Sequence, residues 1–143
     1  MPDQYALLHA NPSLARPAFE EALRWETTAQ TFCRTRAHDT QIAGLPIPGN
    51  SKVVLCLAAA NRDARKWPAP HRYDVNRRPS GHMGFGSGIH SCVGQAVARL
   101  DGEVVLTALA QRIKHITPAG PATRRLNNTL RAFDTLPLHL TPA

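Results

Sequence analysis

The sequence predicts a mainly helical protein carrying small β-sheets, and three patterns predict it. Val93, Ala96, Val97, Leu100, Val104 and Ala108 recur at helical spacing and mark one long helix. Pro17 stands before a second periodic run, Ala18 to about Trp25, as proline at a first helical position does. Between the helices, Thr31 to Arg36 and Lys52 to Leu57 read as two short strands.

In chain order, a first helix runs from Met1 to about Ser13 and stops at the turn signal Asn11-Pro12-Ser13. On the second helix, Glu21 and Arg24 stand three apart and share a face; as a solvated pair they would contribute only a few tenths of a kcal/mol. Ile42 to Asn50 forms a tight hairpin, and the apolar run of Lys52 to Leu57 predicts a strand buried on both faces. Ala60-Asn61-Arg62-Asp63 and Trp67 to Asp74 make a proline-punctuated meander. The long helix reaches about Arg112, where Pro118-Ala119-Gly120-Pro121 soon breaks the chain. Short strands follow around Arg124–Leu126 and Leu136–Leu140, with a turn near Arg131-Ala132-Phe133.

Composition narrows the classes. At 143 residues, 43% hydrophobic and 19% charged, the chain suits one ordinary packed domain rather than disorder. The net charge of +7 points to an acidic partner surface. Its basic residues are scattered and aromatics are only 6%, so a nucleic-acid partner is disfavoured. Three cysteines without close pairing argue for a reducing compartment and no disulfide framework. No stretch of about 18 apolar residues and no basic-then-apolar start is present, so the expectation is a cytoplasmic protein with no membrane partner.

The chemistry concentrates in Phe85-Gly86-Ser87-Gly88-Ile89-His90-Ser91-Cys92-Val93-Gly94. Cys92 falls at the mouth of the long helix, where partial positive charge favours a thiolate that can hold a metal or attack an electrophile. As a bare pattern it also fits a glycine-rich turn with a small buried cysteine. A dinucleotide fingerprint fails, because Ile89 and Ser91 stand where glycine is required. Zinc held by His82, His90 and Cys92 lacks an obvious fourth ligand, and the Cys-x-x-Cys-His of c-type haem is missing.

At every fixed position the loop matches Phe-Gly-x-Gly-x-His/Arg-x-Cys-x-Gly, and on it the chain resembles the cytochrome P-450 family, soluble bacterial type. Glu21-x-x-Arg24 matches the family's second signature, and Arg77, in Tyr73-Asp74-Val75-Asn76-Arg77, matches the arginine that completes a structural charge cluster with it. The resemblance implies the C-terminal part of the P-450 fold: the Glu-x-x-Arg helix, a β-hairpin region, the meander, the cysteine loop and the long following helix. It implies haem b (iron protoporphyrin IX) with Cys92 as axial thiolate, which favours O–O cleavage. Backbone N–H groups of Val93 and Gly94 would bond the sulfur, and Gly86, Gly88 and Gly94 would let the porphyrin approach. Phe85 would screen the sulfur, while Arg34 and His90 would meet propionates. Ala29, Thr31, Phe32, Ala132 and Phe133 would line the substrate side. Thr28 and Ala29 depart from the proline and valine common there. His82 matches a position where bacterial members often carry histidine, and reads as a surface residue.

The implied activity is insertion of one oxygen atom from O2 into a small organic substrate, with no catalytic residue in this stretch beyond the axial ligand. Asn61-Arg62-Asp63, the Phe85–Gly94 loop and Asn127-Asn128-Thr129-Leu130-Arg131 resemble members acting on para-substituted aromatic acids. Arg62, Arg65, Lys66, Arg72, Arg78 and Arg99 are candidates to face a 2Fe-2S ferredoxin donor. The resemblance covers residues 1–143 as the C-terminal haem-thiolate portion of a single larger domain. The expectation is a fragment, truncated naturally or by design, without the central helix that carries an acid–alcohol pair. Its bared apolar faces predict self-association. The alternative expectation is a non-catalytic fragment that folds or self-associates without functional haem.

Overall fold

The computed structural model describes all 143 residues. Its helices are α1 (Pro2–Ala10), α2 (Ala15–Glu26), α3 (Leu57–Ala60) and α4 (Gln95–Arg112). Its strands are β1 (Thr31–Thr35), β2 (Thr40–Ile42), β3 (Leu45–Ile47), β4 (Lys52–Cys56), β5 (Ile113–Pro118), β6 (Thr123–Arg124), β7 (Phe133–Thr135) and β8 (Leu138–Pro142). They pair antiparallel as four two-stranded sheets, β1 with β4, β2 with β3, β5 with β8 and β6 with β7. Mainly helical with small sheets is therefore the observed class.

The first helix ends at Ala10, earlier than Ser13, because Asn11 turns outward and its Oδ1 accepts from the Ser13 N–H at 3.2 Å. A single 3-10 turn, Pro12–Leu14, then leads into α2. That helix starts at Ala15, so Pro17 lies within the first turn rather than opening it, where its missing N–H would have had no helical partner anyway. At the other end Thr27 adopts φ 45°, which is strained for a β-branched residue. Asn61 Nδ2 donates to Thr27 Oγ1 at 2.9 Å, and that hydroxyl donates to Arg24 O at 2.8 Å, so the turn is held.

A small core of Leu8, Ala15, Ala18, Val75 and Ala110 joins α1, α2 and α4, with Tyr5, Leu14, Tyr73 and Leu106 packed around it. The Tyr5 hydroxyl lies 3.0 Å from Leu109 O and 2.8 Å from Ile113 O, locking α1 onto the end of α4. Helices α2 and α4 approach closely at Gly102, where any Cβ would drive into the Phe19 ring. In the predicted hairpin, Ala43 and Gly44 both take positive φ, 49° and 83°, the two-residue turn that matches strand twist.

Several expectations fail. β4 is not buried on both faces: Val54 is 57% exposed, because the β1–β4 ribbon has no layer over it. Leu57 leaves the strand and opens α3. A strand that the sequence pattern does not mark, β5, follows α4 directly, where β-branched Ile113, Ile116 and Thr117 favour extended chain. The last strands fall at Thr123–Arg124, Phe133–Thr135 and Leu138–Pro142, so Phe133 is in a strand and not in a turn. On α4 the apolar stripe exists but faces outward, with Val97, Leu100 and Val104 exposed and Ala110 alone fully buried. No helix is long and apolar enough to cross a membrane.

Candidate functional site

The site is built on the meander, and a buried charge cluster holds the meander to α2. Glu21 and Arg24 have no solvent exposure. Arg24 grips Glu21 with two prongs, Nε to Oε2 at 2.7 Å and Nη2 to Oε1 at 2.8 Å. Its remaining N–H groups donate to Asn61 O and Pro70 O, both at 2.9 Å, and to Arg72 O at 3.2 Å. Arg77 Nε reaches Glu21 Oε1 at 3.0 Å while its Nη1 donates to Pro68 O at 2.8 Å. The three expected residues thus meet, and the guanidinium N–H groups not paired with Glu21 are spent on backbone carbonyls, as a buried charge requires. Tyr73 lies alongside and donates to Ala18 O at 3.0 Å; burial and then the Glu21 charge push its phenol up to about 12.

The cysteine loop leaves the meander under similar control. Met83 N–H donates to Asn61 Oδ1 at 2.6 Å and Gly86 N–H to Met83 O at 3.1 Å. Gly86 sits at φ 71°, and a Cβ there would stand 2.7 Å from His90 O, so only glycine lets the loop close. Closure brings the Cys92 N–H to Phe85 O at 2.8 Å. Gln95 N–H then donates to Cys92 O at 3.3 Å, and α4 begins. The Cys92 thiol is exposed at this mouth and flanked by fully exposed Ile89 and Val93. Its sulfur lies 3.9 Å from where a Gly94 Cβ would be, but the N–H groups of Val93 and Gly94 do not donate to it here. Gly88 faces open space. His90 is exposed. Phe85 packs under the loop, between the His82 ring at 6.3 Å and the Arg99 guanidinium at 4.6 Å from its centroid.

His82 is not the surface residue expected. It is buried, its Nε2 lies 2.7 Å from Glu20 Oε2, and its Nδ1 accepts from the Gly84 N–H at 2.9 Å. Arg99 pairs with the other oxygen of Glu20 and donates to Gln95 Oε1 at 2.6 Å. Burial alone would raise the Glu20 carboxyl, but hydrogen bonds from Arg99 and then His82 outweigh it and hold the group below its usual 4.5. Neither Glu20 nor His82 was read from the sequence as a site residue. The available signal was the spacing His82-x-Gly84, which lets a ring nitrogen cap the amide two residues on.

The donor set fits a haem and does not fit zinc. No group of three His, Cys, Asp or Glu side chains converges, and both ring nitrogens of His82 are already engaged. One soft thiol among glycines and exposed aliphatic side chains instead suits a flat apolar ring carrying a soft-ligated iron. Arg34 on β1 has a buried Nε without a partner, as does Arg36 just after that strand, while Arg34 Nη1 donates to Cys33 O at 2.9 Å. An orphaned guanidinium nitrogen of this kind suits a carboxylate.

Two segments a hundred residues apart also come together. Ala29 bridges Leu130, and the Arg131 N–H donates to Thr28 O at 2.7 Å. Of the expected wall residues the bridge brings Ala29 next to Leu130; Thr31 and Phe32 follow as successive residues of β1, whose side chains point to opposite faces, and Phe133 lies beneath the Arg124 guanidinium at 3.9 Å. Of the basic candidates, most are occupied. Arg62 donates to Trp25 O at 2.6 Å, Arg65 is paired with Asp63 at 2.6 Å, Lys66 donates to Gly81 O at 2.6 Å and Arg99 holds Glu20. Arg72 and Arg78 have no side-chain acceptor and form no ion pair.

Known proteins resemble this chain over nearly its whole length. A family model described as Cytochrome P450 matches residues 11–139. Cytochrome p450 CYP199A2 of Rhodopseudomonas palustris is 58% identical over 142 residues, which cover 99% of this chain and 34% of that protein. The 6-deoxyerythronolide B hydroxylase of Saccharopolyspora erythraea is 42% identical, over 97% of this chain and 35% of its own length. The solved structure of CYP109Q5 from Chondromyces apiculatus superposes with TM-score 0.90 at 37% identity, covering 99% of this chain and 37% of that one. P450BioI, in complex with an acyl carrier protein, gives TM-score 0.91 at 35% identity over 96% of this chain and 36% of its own. The chain therefore spans about a third of the length of the curated relatives it matches. Sequence and superposition converge, and the chain belongs to the cytochrome P450 family, matching a C-terminal portion of its bacterial members.

Proposed function

We propose that this chain is the thiolate-bearing portion of a haem monooxygenase, one domain of which it forms only a part. The observation that carries the reading is the exposed Cys92 thiol, presented by a loop pinned at Met83–Asn61 and Phe85–Cys92. When bound, the haem supplies activation of O2 and transfer of one oxygen atom to an organic substrate. The residues of this chain hold and orient. Cys92 would ligate the iron through its thiolate; Arg34 and His90 would pair with the propionates; Gly86, Gly88 and Gly94 would leave room for the ring beside Val93, and Phe85 would brace the loop.

The substrate assigned is a para-substituted aromatic acid, supported by the resemblance of Asn61-Arg62-Asp63 and Asn127 to Arg131 to members of that kind. Ala29, Thr31, Phe32, Ala132 and Phe133 form part of its wall, supported by the Ala29–Leu130 bridge. The electron donor assigned is an acidic 2Fe-2S ferredoxin, supported by the net charge of +7 and by unpaired Arg72 and Arg78. Such steering weakens as salt rises. The reading is tested on the full-length protein, loaded with haem and supplied with an acidic ferredoxin, its reductase and a panel of para-substituted aromatic acids under isotopically labelled dioxygen. One labelled oxygen atom in the product is expected. A panel that yields no labelled product contradicts the assignment.

A further inference from the structure

We infer that His82 is a positioning residue for the Cys92 loop, acting through the Gly84 amide; the inference rests on reading Cys92 as the iron ligand. Its ring is held from both ends. Nδ1 accepts from the Gly84 N–H at 2.9 Å, so the ring hydrogen sits on Nε2, which donates to Glu20 Oε2 at 2.7 Å. Glu20 belongs to α2, and Arg99 on α4 clasps its second oxygen. One imidazole therefore ties both long helices to the residue where the loop departs. Glu20 and Arg99 are the charged groups that face it.

Geometry carries the restraint onward. The ring lies so close to Gly84 that a Cβ there would sit 2.9 Å from Nδ1 and 3.2 Å from Leu23 Cβ, so Gly84 is clamped by packing as well as by its hydrogen bond. The next residue is Phe85, whose carbonyl receives the Cys92 N–H at 2.8 Å and whose ring is flanked by His82 and Arg99. Fixing Gly84 fixes the peptide that orients Phe85 O, and Phe85 O fixes the backbone of the ligand. A side chain ten positions upstream thus sets the sulfur's bearing without touching it.

Amide hydrogen exchange read by NMR tests this on the full-length protein. His82→Leu is expected to speed exchange at both Gly84 and Cys92 by about tenfold or more, with the interior amides of α2 and α4 unchanged. His82→Asn, whose side-chain oxygen can occupy the Nδ1 position, is expected to restore both. His82→Gln keeps a donor for Glu20 but offers Gly84 no acceptor, and is expected to restore neither. If His82→Leu fails to fold, the Asn and Gln variants still decide. Unchanged exchange at Cys92 when Gly84 is freed would overturn the inference, and so would rescue by Gln but not by Asn. In haem-loaded protein the fraction showing the red-shifted band of the reduced carbon-monoxide complex should fall for Leu and Gln and persist for Asn. Persistence of that band in Cys92→Ser would contradict the ligand reading instead, and the exchange rates would still decide the role of His82.

Discussion

Glu21 shows what a single buried charge costs when its partner leaves. It balances Arg24, which is itself wholly buried, and it anchors Arg77. Glu21→Gln removes the counter-charge and should destabilise the fold by about 3–5 kcal/mol, a large share of the roughly 5–15 kcal/mol that holds a typical domain. The denaturation midpoint measures this, and a change below about 1 kcal/mol would contradict it. Titration adds a second expectation. The folded Glu20 carboxyl lies below 4.5, so its contribution is present above that pH and drains away as pH falls through the folded value. Tyr73 acts at the other end: its phenol is raised from 10 to about 12, so its contribution is full below about 10 and is lost as pH rises through the folded value. Glu20→Gln and Tyr73→Phe should each flatten the matching limb of stability against pH. At this scale the meeting of Glu21 with Arg24 and Arg77 was legible, from the Glu-x-x-Arg spacing and from the resemblance that pointed to Arg77. The His82–Glu20 contact was not, since its partners lie 62 residues apart and no local spacing announces them.

Elements obeyed local rules where the rules are local. The end of α4 at Arg112 follows from periodicity as expected, and a tight hairpin forms where one was expected, although it spans Thr40–Ile47 rather than Ile42–Asn50. Burial was not legible in the same way. The apolar runs of β4 and α4 report which faces seek cover, but only the assembled chain decides whether cover arrives, and here Val54 and Val97 remain exposed. Pairing over long intervals, such as β5 with β8, likewise depends on topology rather than on either strand alone. The α2–α4 contact supplies the test at this scale. Gly102→Ala would push a methyl into the Phe19 ring, and we expect a loss of about 1–3 kcal/mol in unfolding free energy. An unchanged midpoint would mean that the helices can part at no cost.

Over the whole molecule, exposed area carries the argument. The chain presents 9682 Å² to solvent, whereas a self-contained protein of 15.6 kDa presents about 7,200 Å². The surplus agrees with a chain matching a third of its relatives' length, and it lies in apolar side chains such as Ile89, Val93, Val97 and Leu100 beside the cysteine loop. Faces of this kind draw partners, so sedimentation of the chain alone should give a mass above the monomer, and a monomer at every concentration would contradict that. The central claim is narrower, and one spectrum tests it most directly. Haem-loaded protein, reduced and exposed to carbon monoxide, should give the strongly red-shifted absorption band of a thiolate-ligated iron, and Cys92→Ser should abolish it. A band that survives the substitution would contradict the assignment of Cys92.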